Sequence, residues 1–241
     1  MDGAERDEMP RLGDTVPDRV AALVKGGIGT IPGVGSILAE IIGQFIPNQR
    51  LSRIEEYLGR LDERLRDVQS GGDAPLTAPE AIDLIEEGGF QSARALSNDR
   101  LDYIARVVSD GLSGDERKRI ESKRLLRLLG ELDDDQIILL ASYLQKNRRN
   151  DEFLEKHHPI IRTPFVSLAD SQDARDTATL HQIARDGLKR LGLITLSLPI
   201  LKPGQVPKFD REGKVAGGTL ILAPTGRLLL RAIGLATDDD Y

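Results

Sequence analysis

The sequence predicts a mainly α protein, a helical N-terminal hairpin and bundle followed by an α+β module. Three patterns carry that prediction. Apolar residues between Leu51 and Val68 recur at alternating spacings of three and four, the period of one helix face. Between Thr77 and Leu144 amphipathic stretches follow one another, several behind a Ser, Thr, Asn or Asp of the kind that caps a helix. Past residue 160 the order becomes helix, turn, helix, β-prone run, Pro/Gly-punctuated loop, β-prone run and helix. The 241 residues, 39% hydrophobic and 30% charged, suffice for one or two globular domains. With no Cys there is no disulfide framework, thiolate metal site or Cys nucleophile, which fits a reducing compartment. The formal charge of -6 argues against a protein coated in nucleic acid.

That charge is unevenly placed: residues 1–93 carry -8, residues 94–150 carry +2 and residues 151–241 are neutral. Residues 1–18, rich in Asp, Glu, Arg, Gly and Pro, read as a loose tail without apolar periodicity. They lack the basic and apolar regions of a secretory signal, so the expected location is the cytoplasm. The segment 19–70 comes next, and its first part, Val20 to Ile46, is apolar and interrupted by six glycines and Pro32. Pro32 splits it into halves of about a dozen residues, each shorter than the ~20 a spanning helix needs. Small residues at Gly29, Gly33, Gly35, Ser36 and Gly43 suit close helix packing, either in a membrane hairpin or in a tight corner of a soluble fold. A third reading is carried by IPGVGSILAEII, Ile31 to Ile42, which resembles the turn of a helix-hairpin-helix that holds a DNA phosphate. It departs from that family where Ser36 and Ile37 stand in place of Lys or Arg.

Leu51, Ile54, Leu58, Leu61, Leu65 and Val68 form an a/d seam of about two and a half heptads. The seam serves either self-association or packing within the chain. Ser70 to Pro75 reads as a linker, and a helical bundle is expected over 76–158. Thr77 and Glu80 make a capping box ahead of Ile82, Ile85 and Phe90. Ser97 or Asn98 caps a helix with Leu101, Ile104, Ala105, Val108 and Leu112 on one face. Glu116 to Leu129 repeats the pattern with Ile120, Leu125, Leu128 and Leu129, and Asp133 to Asp135 introduce Ile137, Leu140, Ala141 and Leu144. Three acids in a first helical turn are explained by capping and the helix dipole without a metal.

The module at 160–236 is expected to open with a short helix from Thr163-Pro164-Phe165 through Leu168 and Ala169. A second helix starts at Thr177 with Leu180, Ile183, Ala184, Leu188 and Leu191 inward, and Gly192 stops it. Strands are expected within Leu193 to Leu201 and Val215 to Leu222, and a last helix over Arg227 to Ile233, before an acidic tail at 237–241. LKRLGLI, Leu188 to Ile194, and ILAPTGRLLLRAI, Ile221 to Ile233, carry a resemblance over about 75 residues to the winged helix-turn-helix of bacterial MarR-like regulators, with Ala223 where that family usually has Thr. The resemblance implies a winged-helix (α+β) fold. By analogy Thr179, His181, Gln182, Arg185 and Lys189 of its helix, with Lys202, Lys208, Arg211 and Lys214 of its wing, would contact DNA. Asp176, Asp186, Asp210 and Glu212 are interleaved with these bases, and a neutral module favours protein contact over phosphate binding. In layout the whole chain also resembles bacterial helical proteins grouped with abortive-infection proteins, which implies a role in phage defence or stress.

No Walker A loop, Gly-x-Ser-x-Gly elbow or His-Glu-x-x-His occurs. His157 and His158 are adjacent and diverge on any regular element, so they make a poor metal pair. The expected function is that of a non-enzymatic interaction or oligomerisation protein whose partner is itself or another protein, with no cofactor and no small-molecule substrate. A DNA-binding regulator is the first alternative, and a membrane-acting effector using the Gly-rich segment is the second.

Overall fold

The computed structural model describes residues 48–68, 78–164, 166–167, 170–200, 206–209, 213 and 215–240. The loose tail, Gly29, Gly33, Gly35, Gly43 and their segment, the 70–75 linker, and Lys202, Arg211 and Lys214 therefore lie outside the described residues. Ten α-helices and one two-stranded antiparallel sheet make up the described chain. It divides into two compact units, residues 1–126 and 127–241.

In the first unit, α1 (Asn48–Val68) packs on α2 (Pro79–Ser92) and α3 (Asn98–Leu112), with the first part of α4 (Glu116–Gly130) beside them. The heptad spacing explains α1: Ile54, Leu58, Leu61 and Leu65 are buried and Tyr57 joins them at the core. Burial pushes the Tyr57 phenol pKa far above its ordinary value, and its Oη donates to the Ile85 carbonyl at 3.4 Å. Charge fixes the register of α1 on α3. Arg60 reaches Asp102 at 2.7 Å and the Asn98 carbonyl at 3.1 Å. Ser97 is the cap of α3, accepting from the Arg100 N–H at 3.1 Å, while Thr77 of the expected capping box lies outside the described residues. On α4 the buried face is Arg119, Ser122, Leu126 and Leu129, and Ile120 is exposed. Of the expected stripe Leu129 is buried, Leu125 and Leu128 are half-buried and Ile120 is exposed, and Ser122 packs closely on Gly111 of α3.

The second unit holds α5 (Asp134–Ala141), the short helices α6 (Gln145–Arg148), α7 (Asp151–Lys156) and α8 (His158–Ile161), and the long α9 (Gln172–Arg190). Strands β1 (Ile194–Ser197) and β2 (Thr219–Leu222) and helix α10 (Pro224–Ala232) follow. The expected bundle at 76–158 straddles the division between the units, since α5 and α8 pack in the second one, α5 against both α8 and α9. Asp133 and Gln136 form the capping box of α5, accounting for the Asp run. Helix α9 begins at Gln172, capped by Ser171, five residues before the expected Thr177. Thr163, Pro164, Val166 and Ser167 are not helical, so the short helix expected there is absent at those residues.

Helix α9 ends where Gly192 takes φ +67, a conformation glycine adopts without a Cβ clash. The Leu193 N–H donates back to the Leu188 carbonyl at 2.9 Å, closing the helix end. Strand β1 then pairs with β2 in the register Ile194↔Leu222 to Ser197↔Thr219. The Leu193 carbonyl accepts from the Ala223 N–H at 2.9 Å. Around this corner Leu188, Leu193, Ile194, Leu222, Leu229, Leu230 and Ile233 are buried.

Two glycines test the packing of the first unit. A Cβ at Gly88 would lie 2.8 Å from Tyr57 Cζ and 2.9 Å from Val108 Cγ2, whereas one at Gly59 meets nothing within 4 Å. Ala at either site gains about 1 kcal/mol of helix propensity, but overpacking at Gly88 costs about 1–3 kcal/mol. Urea unfolding should therefore show Gly59→Ala stabilised and Gly88→Ala destabilised. Equal gains in both would contradict the Tyr57 contact.

Candidate interaction site

The second unit contains a cleft of about 440 Å3 bounded by α5, α8 and α9. Its floor is apolar, with Leu139, Pro159, Ile160 and Pro164 facing Leu180 and Ile183 of α9. Two polar links hold its walls together. Gln136 Nε2 donates to the Ala184 carbonyl at 3.1 Å, and Gly187 makes room for it, since a Cβ there would sit 2.7 Å from that nitrogen. His181 Nε2 meets the Ile160 carbonyl at 2.9 Å, so that nitrogen carries the proton. The rim is acidic: Asp133 and Asp135 line it, and Asp173 and Asp176 stand one or two turns before Thr177 and Leu180 on α9. A larger hollow near α4 is lined, among the described residues, by side chains of residues 115–124.

The expected inward stripe of α9 is only partly inward. Leu188 is buried, but Leu180 is 66% and Ile183 61% exposed. The middle of the helix, Thr177 to Ala184, lines the cleft together with residues of α5 and α8, and these two side chains are left exposed there. Helical periodicity identifies the apolar face of α9 but not how far along the helix that face is covered.

The other apolar feature is the excursion Leu198–Gly218 between the strands. Ile194 and Leu196 share one face of β1, and Leu198 and Ile200 follow beyond its end. Burial falls away outward along it: Ile194 is buried, Leu196 and Leu198 are half exposed, and Ile200 is 100% exposed. On the returning side Val206 is 76% and Phe209 61% exposed. Phe209 bridges to Val215, and the Ala216 N–H donates to the Lys208 carbonyl at 2.7 Å.

Most of the residues named as DNA contacts on α9 are engaged locally. Arg185 donates to Thr163 Oγ1 at 2.6 Å, and Lys189 donates to Asp186 at 2.9 Å. Hydrogen bonds from Gln182 and then Lys189 hold the Asp186 carboxyl below the usual carboxylate range. Thr179 Oγ1 donates to the Arg175 carbonyl at 2.8 Å. Among the described wing residues Lys208 is exposed.

The self-association seam lies in the first unit. Ile54, Leu58, Leu61 and Leu65 are covered within one chain by α2 and α3, the intramolecular alternative; the side chains of Leu51 and Val68 lie outside the described residues. Pairing with a second chain through these four positions would require the unit to open. Among the described residues no group of three His, Asp or Glu is placed to hold a metal ion, and none of the helices is long and apolar enough to cross a membrane.

The fold is thus mainly helical with a small antiparallel sheet. No protein-family model, curated protein or solved structure matches the chain.

Gln136 joins the capping box of α5 to the wall of α9. Replacing it by Ala removes both bonds and should cost about 1–2 kcal/mol, read as a lower melting temperature. Asp133→Ala removes only the cap and should cost less. Equal losses would mean that the Ala184 bond contributes nothing.

Proposed function

We propose that this chain is a non-enzymatic interaction protein whose second unit carries a winged-helix-like module used for protein contact and self-assembly. The order α9, β1, β2, α10, with its glycine corner at Gly192, supports the winged-helix reading over 160–236. The observation that carries the function is the exposure of Leu180 and Ile183 on consecutive turns of α9, above an apolar cleft. Large exposed side chains adjoining a concave apolar floor are the pattern of a contact surface.

DNA reading by the same helix is the second reading, favoured by the exposed Thr179 and Gln182 and by Lys208. It is the weaker one, because Arg185 and Lys189 already have partners on the module and bringing them to phosphate would break those bonds. Three carboxylates on α9, Asp173, Asp176 and Asp186, also repel a duplex. The layout that suggests a phage-defence or stress role contributes no residue to this proposal.

Light scattering decides the first reading. At tens of micromolar the full chain should be oligomeric, and Leu180→Asp with Ile183→Asp should make it monomeric without loss of helical circular dichroism, since both side chains are exposed and carry little of the core. A monomeric wild type sinks self-assembly. Fluorescence anisotropy on random duplex tests the second reading: DNA binding that falls when Arg185 and Lys189 become Ala, with a smaller salt slope, would reinstate it.

A further inference from the structure

After α10 the chain of the second unit doubles back on itself. Gly234 takes φ +80, which glycine adopts without a Cβ clash, and the Leu235 and Ala236 N–H groups donate to the Leu230 carbonyl at 2.8 and 3.2 Å. Ala236 is buried, and the short turn Asp238–Asp240 that follows is tied down by charge. Arg231 of α10 donates to Asp238 at 2.5 Å, and Lys146 of α6 donates to Asp240 Oδ2 at 2.8 Å. The Thr237 N–H and hydroxyl meet the same oxygen at 2.6 and 3.0 Å. These bonds, Lys146 first, hold the Asp240 carboxyl below the usual carboxylate range.

Asp240 also lines a hollow of about 160 Å3, together with Tyr143, Gln145, Arg148, Leu222 and Arg227. Small-molecule clefts usually hold roughly 300–1,000 Å3, so this one admits a single compact group. Its lining is basic. Arg148 lies over the Tyr143 ring, 5.7 Å from its centroid, and makes no ion pair among the described residues. Arg227 and Arg231 stand one turn apart on α10. Two arginines therefore line the hollow, and two further cations, Lys146 and Arg231, hold the acidic turn at its edge. From the hollow, these four cations and the turn we propose that this is a binding site for a phosphate group, with Asp240 as an internal competitor that gives up Lys146 when phosphate enters. Guanidinium groups match phosphate oxygens in pairs, and the Tyr143 hydroxyl and Gln145 amide add donors. A phosphate offers more acceptor oxygens and more charge than the one carboxylate now at the edge, so it can engage both lining arginines and Lys146 together. The site uses neither the cleft nor α9 and is independent of the self-assembly reading.

Inorganic phosphate is the probe, its affinity for the full chain read from phosphorus NMR line widths at constant ionic strength. Asp238→Asn with Asp240→Asn keeps the size of both side chains and removes the competing charge. A site whose competitor is displaced about one tenth of the time binds about tenfold more weakly than one open throughout, so the double variant should bind phosphate about tenfold more tightly than the wild type. Adding Arg148→Gln with Arg227→Gln should remove that gain. The same two arginine changes with the acidic turn intact should weaken phosphate binding by the wild type, and circular dichroism checks the folding of every variant. An affinity that the Asp→Asn changes leave unaltered overturns the proposal, as does phosphate binding that survives loss of both arginines. A fluorescein-labelled duplex then separates two sources of the group. Capture by the Asp→Asn variant, reversed by inorganic phosphate, assigns it to a nucleic-acid backbone, and phosphate binding without capture of the duplex assigns it to a phosphorylated small molecule or the free ion.

Discussion

The second unit depends on the carbonyl and amide of a single residue, Leu193. Its N–H closes the end of α9 on Leu188, and its carbonyl accepts from Ala223 between β2 and α10. Gly226, in the first turn of α10, lies against that carbonyl so closely that a Cβ would collide with the backbone. Helix, strand and closing helix are consequently locked at one corner, with Gly192 supplying the positive φ that turns the chain into it. A buried backbone pair of this kind satisfies both polar groups of Leu193 within the core, and it fixes the end of α9 against the start of β1. The candidate surface is a consequence of that anchoring: the half of α9 distant from the corner is held in position without being covered.

The two units use their apolar residues differently. The first unit consumes its seam internally, where Ile54, Tyr57, Leu58, Leu61 and Leu65 meet α2 and α3 and Arg60 sets the register. Among its described residues the second leaves Leu180, Ile183, Leu196, Leu198, Ile200, Val206 and Phe209 substantially exposed. Burying even a few of them offers more free energy than the few tenths of a kcal/mol typical of exposed ion pairs. The cleft is also bordered by the carboxylates of Asp133 and Asp135. DNA contact through α9 would have to separate Arg185 from Thr163 and Lys189 from Asp186.

Much of the architecture is legible in the sequence because it is encoded locally. The three-four spacing of α1, the Ser97 cap, the Asp133 to Asp135 turn and the Gly192 stop each depend on residues within one or two turns of one another, and each is found where that local chemistry places it. The boundaries that shifted depend on competing local signals. Ser171 captures the start of α9 ahead of Thr177, and Pro224 opens α10 three residues before Arg227, a position proline favours at a helix start.

The sequence by itself determined the helical class, the faces of most helices, the glycine corner and the strand pair, since periodicity and caps are properties of neighbouring residues. Only the tertiary structure decided how far each apolar face is covered. Leu188 and Leu180 belong to the same stripe of α9 and have the same chemistry. One is buried because the corner of β1 and α10 lies against it, and the other is open because α5 and α8 stop beside it. Likewise Ile194 and Ile200 have the same chemistry, but the first is buried in β1 opposite Leu222 and the second lies three residues past that strand and is exposed. Burial depends on which residues distant in the chain arrive at a surface, and one-dimensional periodicity carries no record of that arrival.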